Sequence, residues 1–466
     1  MRVIFLGLLV FSFFTSSSQA IDANLLTFED FISRVKEHHP MAKQASLKVL
    51  EGDAALLESK GAFDPKFNTQ LAQKYFEDKD YYSIASTNLR IPSWFAAQFE
   101  AGYDQNDGVF LNPENQLPSE GLLYAGISLP LGKGLIIDQR RAMYRRAKIY
   151  KESSLAEQQL MLNELIYEAG KVYWQWFEAY NIRKVFQEAV VLAKTRFEAV
   201  KQQALLGDKP FIDTVEARIQ YQNRRLSLQQ ANLDFRNSGI LVSIFLWEDG
   251  LIPLELDSNA HPDLFKDLSS FSDLNLQLNL DQDSLLKAHP SLRLGRFKID
   301  QLEIDRKWKR EQLKPSLDLK YNALASANGN DISNNYSVNN YTWGFKLAIP
   351  LYLRKERGAL KLNQLKIQDA ELDLGQKQQA LNFKVQSSIN EWQITAEQLQ
   401  LYQKTLSDYQ VLLQGERNLF NNGESSLFLV NSREWGFINA RLKMIELLVK
   451  NRKARLSTYY SLASPL

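Results

Sequence analysis

The chain has 466 residues, a formal net charge of +2 and no cysteine. Lack of cysteine excludes disulfides, thiolate metal sites, a cysteine nucleophile and a lipid-modified N-terminal cysteine. The near-neutral charge supplies no overall field for nucleic acid, and without disulfides packing or assembly must hold a chain of this size together.

Met1-Arg2, the apolar residues 3–14 and the small residues Ser18-Gln19-Ala20 have the form of a secretory signal over 1–20, cut after Ala20. The apolar run is short for a membrane span, and no later stretch approaches the roughly 18 apolar residues of a transmembrane helix. An exported chain without further transmembrane helices is expected. After the signal, Thr27 caps a short helix, with Asp30 three residues on as a variant of the capping box. His39-Pro40 opens a longer helix that runs to about Lys60, and residues 61–65 break it.

From residue 66 to 130 the hydrophobic period changes from helix-like to two. Phe67, Leu71 and Tyr75 share one face, while Asn68, Gln70 and Lys74 share the other. Phe95, Ala97, Phe99, Ala101 and Tyr103 alternate with polar or small neighbours; 123–129 is a further strand and 82–89 a poorer one. Later, Leu317, Leu319 and Tyr321, then Tyr341, Trp343, Phe345, Leu347 and Ile349, follow the same rule. Such strands suit a sandwich face or a barrel with lipid outside and water inside. About six strands are too few for a private water-filled barrel, so a pore would need several chains. The polar stretches 105–120 and 326–340 are hairpin connections suited to an exposed outer end.

Residues 138–206 contain no proline and one glycine, Gly170. A helix of that extent is about 100 Å long. Leu155, Leu162, Ala169 and Trp176 recur every seven residues, with Leu165, Val172 and Ala179 between them; Leu399, Leu406, Leu413 and Phe420 do so later, with Tyr402 and Tyr409 between. This is coiled-coil spacing. The helical pattern stops at Gly207, turns through Asp208-Lys209-Pro210 and resumes at Phe211. Glycine admits the left-handed conformation that ends a helix, and proline fits the first turn of the next. A second helical hairpin turns at Gly423-Glu424-Ser425-Ser426 and continues to about Leu462.

Spacing identifies a duplication. The pairs Pro40/Pro65 and Pro290/Pro315 are each 25 residues apart. Pro130 and Pro350 end matching strands, and the hairpin glycines follow after 77 and 73 residues (130 to 207, 350 to 423). The interval containing the strands differs, 65 residues against 35. The chain is therefore divided into a first repeat over 21–248 with strands in 66–130, a linker with a small mixed layer over 249–285, and a second repeat over 286–466 with strands in 316–349. Residues 274–280 in the linker are expected to form a short strand.

No nucleophile elbow, phosphate loop or metal motif is present, and no catalytic, cofactor or metal residue is assigned. His38, His39, His261 and His289 lack metal-ligand spacing; His39 and His289 belong to the repeated helix entries. Trp174, Trp176, Phe177 and Tyr180 have the helical spacing of packing residues rather than of a ligand box. Arg140, Arg141, Arg145, Arg146 and Lys148 form a basic cluster, repeated as Arg354, Lys355, Arg357 and Lys361. It is either a solvated helix face or a site near anionic headgroups or a pore mouth.

Gly207, then Asp213 six residues on, Ala217-Arg218 and Tyr221 resemble the hairpin-tip pattern of the TolC-like outer-membrane efflux proteins, and the duplicated plan resembles that family over essentially all of the mature chain. The resemblance implies a mainly α fold with a membrane β-barrel part. Duplicated coiled-coil hairpins would form a trimeric α-helical tunnel across the periplasm, continuous with a shared barrel in outer-membrane lipid. It further implies a homotrimer that passively conducts substrates, without cofactor or catalysis. A periplasmic adaptor (membrane fusion) protein and an inner-membrane transporter would be its partners, and nucleic acid would not. Adaptor contact then falls on Gly207, Asp208, Lys209, Pro210, Gly423, Glu424, Ser425 and Ser426. Two features depart from the family: there is room for more than four strands per chain, and Leu429 and Ser432 stand where family members often place acidic gate residues. Three copies of Leu429 would make an apolar constriction, while Asp213 and Glu216 remain the acidic candidates on the first hairpin. The competing readings are a periplasmic coiled-coil adaptor or structural protein, disfavoured by two hairpins and two strand blocks, and an exported enzyme, disfavoured by the lack of a motif.

Overall fold

A computed structural model describes residues 25–262, 288–327 and 336–464. The signal over 1–20 and the strand expected at 274–280 lie outside the described residues. The chain divides into two compact units: one comprises the described parts of 1–40, 166–278 and 389–457, the other those of 41–165, 279–388 and 458–466. Helices α3 (Gln139–Leu205) and α6 (Arg354–Asn421) contribute to both, with 67 and 68 residues. Among the described residues no helix is long and apolar enough to cross a membrane.

The second unit carries the sheet. Strands β1 (Lys66–Phe76), β2 (Lys79–Pro92), β3 (Gln98–Asp107), β4 (Leu122–Pro130), β7 (Ser316–Ser326) and β8 (Tyr336–Ala348) form one antiparallel sheet in the order β1-β2-β3-β4-β7-β8. Register keeps chemistry in rows, because successive side chains in a strand point to opposite faces. Ile91, Phe99, Ile127, Tyr321 and Trp343 are consecutive partners on one face. The adjacent row on the other face is Lys66, Arg90, Glu100, Gly126, Asn322 and Thr342. Every large residue of the apolar row is exposed in the single chain, and so are Phe67, Leu71, Tyr341, Phe345 and Leu347 on the same face. On the polar face Glu100 is buried between Lys320 at 2.8 Å and Arg90 at 3.4 Å. Tyr124 crosses over Gly102, where a Cβ would stand 2.6 Å from the phenol.

Three boundaries differ from the sequence expectation. The strand expected to begin at Phe95 begins at Gln98, because Ala96 takes a left-handed turn (φ 78°) that Ser93 closes by donating to the Ala97 carbonyl. The connection expected from 105 starts later, since β3 runs on to Asp107 opposite Ser83. The connection expected over 326–340 is shortened by β8, which starts at Tyr336. The basic cluster is partly structural. Arg141 is buried, pairs with Asp138 at 3.4 Å and donates to the carbonyls of Leu135 and Gly134, and Arg146 pairs with Asp305 at 3.1 Å.

The first unit is helical. Helix α1 (Phe28–His38) starts at Thr27, whose hydroxyl accepts from the Asp30 amide. Its Phe28 and Phe31 pack on Tyr173 and Trp174, and the Tyr173 hydroxyl donates to the Leu26 carbonyl at 2.9 Å. Trp174, Trp176 and Phe177 are fully buried in this aromatic core, so they pack. Gly170 allows a close approach: a Cβ there would meet Leu456 at 2.6 Å, on helix α7 (Leu427–Leu462). Residues 247–248 (β5) and 252–253 (β6) form a two-residue-strand hairpin where the first repeat meets the stretch 249–285. Coiled-coil spacing holds in α4 (Phe211–Ser243), where Thr214, Ala217, Arg224, Ala231, Phe235, Ser238 and Val242 are buried. In α6 Leu413 is buried, and Leu399, Leu406 and Phe420 at heptad spacing are half-buried. In the second unit, by contrast, Leu155 is 47% exposed, and Ala156 next to it is buried instead.

The repeated histidines are helix entries, as their place before the prolines suggested. His39 is buried, stacks on Phe245 at 5.7 Å and precedes α2 (Pro40–Gly61). His289 caps α5 (Pro290–Glu311) by accepting from the Ser291 amide. Burial, aided by the Lys384 charge, pushes the His289 pKa down from 6.5 to about 4, and burial also lowers that of His39. The neutral ring is thus the folded form, and between those values the unfolded chain binds more protons. Stability from His289 should be complete above pH 6.5 and should fall as pH drops towards about 4. Thermal unfolding midpoints across that window should decline less in His289→Asn, which keeps a capping oxygen but does not titrate.

Candidate functional site at the hairpin tips

The two tips are built alike. At the end of α3 the Gly207 amide donates to Ala204 and the Asp208 amide to Gln203; at the end of α6 the Gly423 amide donates to Phe420 and the Glu424 amide to Leu419. Each is a Schellman pair, which satisfies helix-end carbonyls and needs a left-handed residue after the helix. Gly207 and Gly423 supply it with φ of 84° and 82°. Nothing lies within 4 Å of a Cβ built on either, so backbone conformation and not space demands glycine. The following helices begin at equivalent positions: Pro210 precedes α4, and Ser426 precedes α7 with its hydroxyl accepting from the Leu429 amide.

Behind the tips, Val200, Ala217 and Leu427 form a buried cluster with Phe197 and Phe420 against it. Lys209 places its ammonium 4.9 Å from the Phe420 ring, so one tip touches the other hairpin. In front, Leu205, Leu206, Phe211, Ile212 and Phe428 are exposed. Exposed apolar side chains concentrated at a turn mark a contact surface more than a packing surface.

One helical turn behind that cluster the two hairpins meet through a polar layer that sequence reading missed. Arg196 of α3 donates to Asn431 at 3.0 Å and to Glu434, both on α7. Asn431 donates in turn to Glu216 of α4 at 2.9 Å. Arg417 of α6 reaches Glu434 at 3.4 Å, and Arg433 reaches Glu416 at 3.5 Å. Ser425 donates to Glu416, which ties the second tip to its own helix. Arg224 lies buried 4.2 Å over the Trp435 ring, and that burial lowers its pKa, partly offset by Glu434.

The gate candidates separate on this frame. Glu216 is engaged between the hairpins, whereas Leu429 and Ser432 lie on the exposed side of α7, away from Val430, Asn431 and Glu434, which are buried. Asp213 is half-buried at the start of α4. The charged layer left no periodic signal, since its members are spread over four helices. The one available clue was charged or amide residues at seam positions: Arg224 falls seven residues after Ala217 in the α4 stripe.

Removing Glu434, which is 5% exposed, would leave two arginines without their shared carboxylate. Glu434→Ala should loosen the contact between hairpins by roughly 3 kcal/mol, while Arg433→Ala, at a more exposed pair, should cost less than about 1 kcal/mol. Amide hydrogen exchange at residues 196–217 and 427–435 checks both.

Residues 282–449 match the family model described as outer membrane efflux protein. No curated protein matches the chain by sequence. Among solved structures, CusC is 16% identical with a TM-score of 0.65, over 95% of this chain and 94% of its own. The Campylobacter jejuni outer membrane channel CmeC is 13% identical with a TM-score of 0.64, over 94% of this chain and 85% of its own. The outer membrane protein VceC of Vibrio cholerae is 12% identical with a TM-score of 0.66, over 94% of this chain and 96% of its own. At such identities the likeness is one of fold, and it extends over nearly the whole chain.

Proposed function

We infer that this chain, whose residues 282–449 match the outer membrane efflux protein model and whose fold is similar to that of CusC, is the outer-membrane conduit of a tripartite efflux pump or type I secretion system. The observation that carries this reading is the two-faced sheet. The row Ile91, Phe99, Ile127, Tyr321 and Trp343 is exposed on one face, and Arg90, Glu100 and Lys320 lie on the other. Lipid outside and water inside satisfy both faces at once. A periplasmic adaptor or structural protein would leave the apolar rows in water, which argues against the alternative.

One sheet with two open edges cannot stand alone in hydrocarbon, so the working unit holds several copies, and the TolC-like resemblance makes it a homotrimer. Its periplasmic end carries the tips Gly207-Asp208-Lys209-Pro210 and Gly423-Glu424-Ser425-Ser426. There the exposed Leu205, Leu206, Phe211 and Ile212 offer apolar contact to a periplasmic adaptor, which links the conduit to an inner-membrane transporter. The conduit itself performs no catalysis.

For the gate, Leu429 is the favoured constriction, with Ser432 one turn further on. It is exposed on the side of α7 that the polar layer does not use, and Glu216 is already held by Asn431. Three leucines close a pore by packing and dewetting and attract no cation.

Deleting the gene should raise sensitivity to exported compounds, and the intact chain should restore export. Gly207→Val, which forces a β-branched residue to φ near 84°, should reduce export at least several-fold while the protein remains in the outer membrane. Full export by that variant would remove the tip assignment, and no export phenotype on deletion would remove the function. In planar bilayers the native channel should show weak cation selectivity. Leu429→Asp should increase it, measured as a shifted reversal potential in a salt gradient. Strong native selectivity abolished by Asp213→Asn would move the gate to the first hairpin.

A further inference from the structure

The sheet has six strands, more than the four per chain that the family resemblance implies, and both added strands are full members of it. Strand β1 pairs with β2 over its entire length, from Lys66 with Arg90 to Phe76 with Lys79, and β2 pairs with β3 from Ser83 to Pro92. The added pair also keeps the two-faced pattern. Phe67 faces Leu89 on the apolar side, and Asn68 donates to Asn88 at 3.0 Å on the polar side.

The outer edges of the sheet are β1 and β8, and among the described residues neither has a second strand neighbour. With 11 and 13 residues, both reach the roughly 9–11 residues that cross a bilayer. An edge in hydrocarbon leaves unpaired backbone groups at several kcal/mol each, so each edge needs a strand of matching length and face. Parity supplies the match. All five junctions in the sheet are antiparallel, so an even number of strands makes β1 and β8 run in opposite directions. A β8 edge laid against β1 of the next copy is then antiparallel too, with apolar rows outside and polar rows inside.

Resting on the reading of the chain as a trimeric outer-membrane channel, we propose that its barrel closes through β8-to-β1 pairing between copies and has eighteen strands, six from each of three chains. Barrel diameter grows about linearly with strand number, so this barrel is about half as wide again as one of twelve strands. Barrels of 16–18 strands leave an aqueous channel. The added β1–β2 hairpin sets this width.

The absence of native cysteine makes the junction directly testable. Single cysteines on the polar face of β1 (Asn68→Cys, Gln70→Cys or Lys74→Cys) would be combined with single cysteines on the same face of β8 (Thr342→Cys, Gly344→Cys or Lys346→Cys). Each double variant is oxidised in outer membranes and run on non-reducing gels. At least one combination should convert most of the chain to dimer- and trimer-sized species, and combinations of the β8 positions with Gln98→Cys or Asn106→Cys on β3 should not. Cross-links from β8 to β3 would mean that β1 and β2 stand outside the barrel and would overturn the proposal. A disulfide confined to one chain would also overturn it. Electron microscopy of the purified native channel gives a count that needs no variant: eighteen strands support the proposal, and twelve in an intact trimeric channel refute it alone. A chain released from membranes without detergent would instead remove the channel reading beneath it.

Discussion

Hydrocarbon has no hydrogen-bonding partner for a peptide group, and that constraint organises the sheet-bearing unit. An exposed sheet edge is tolerable in water, but in lipid each unpaired amide or carbonyl costs several kcal/mol. The described sheet pairs its inner strands within itself and leaves two open edges, β1 and β8, which on the proposed reading neighbouring copies pair. Its faces obey the same logic. Apolar residues stand in unbroken cross-strand rows, and the ionic group Arg90–Glu100–Lys320 is kept on the opposite side. On that reading assembly is a condition of this unit's stability and not an addition to it.

The helical unit answers a different demand, that of holding long, mostly wetted helices in register. Heptad burial in α4 and α6 aligns the helices pairwise. At the tips the registers end in the same Schellman turn at Gly207 and Gly423. Between the hairpins, packing gives way to the layer of Arg196, Asn431, Glu216, Glu434 and Arg417. Buried hydrogen-bonded charges do little for net stability compared with well-packed apolar residues, but they fix one arrangement and make partial separation costly. Such a layer suits a place where two hairpins must stay together in one state and part in another.

Much of this was legible because local chemistry repeats. The prolines at 40, 65, 290 and 315 and the glycines at 207 and 423 mark element ends through backbone constraints that do not depend on distant partners. The two-residue period located all six strands, and the histidine entries were identified by their place before proline. Boundaries failed where a turn overrode the pattern: residues 95–97 alternate like a strand, yet Ala96 adopts a left-handed turn there. Leu155 failed because a heptad count cannot show where the seam begins, and its neighbour Ala156 faces inward instead. The polar layer was not legible at all. Its pairs are separated by up to 238 positions, and charges on helices otherwise signal solvent.

The central claim is that the chain is a membrane-embedded subunit that is complete only in company. The most direct test is the mass of the native protein extracted from outer membranes, taken in a mild detergent with the detergent contribution subtracted. The account predicts that extraction requires detergent and that the particle contains three copies of the chain. A stable monomer, or protein released into buffer without detergent, would contradict it.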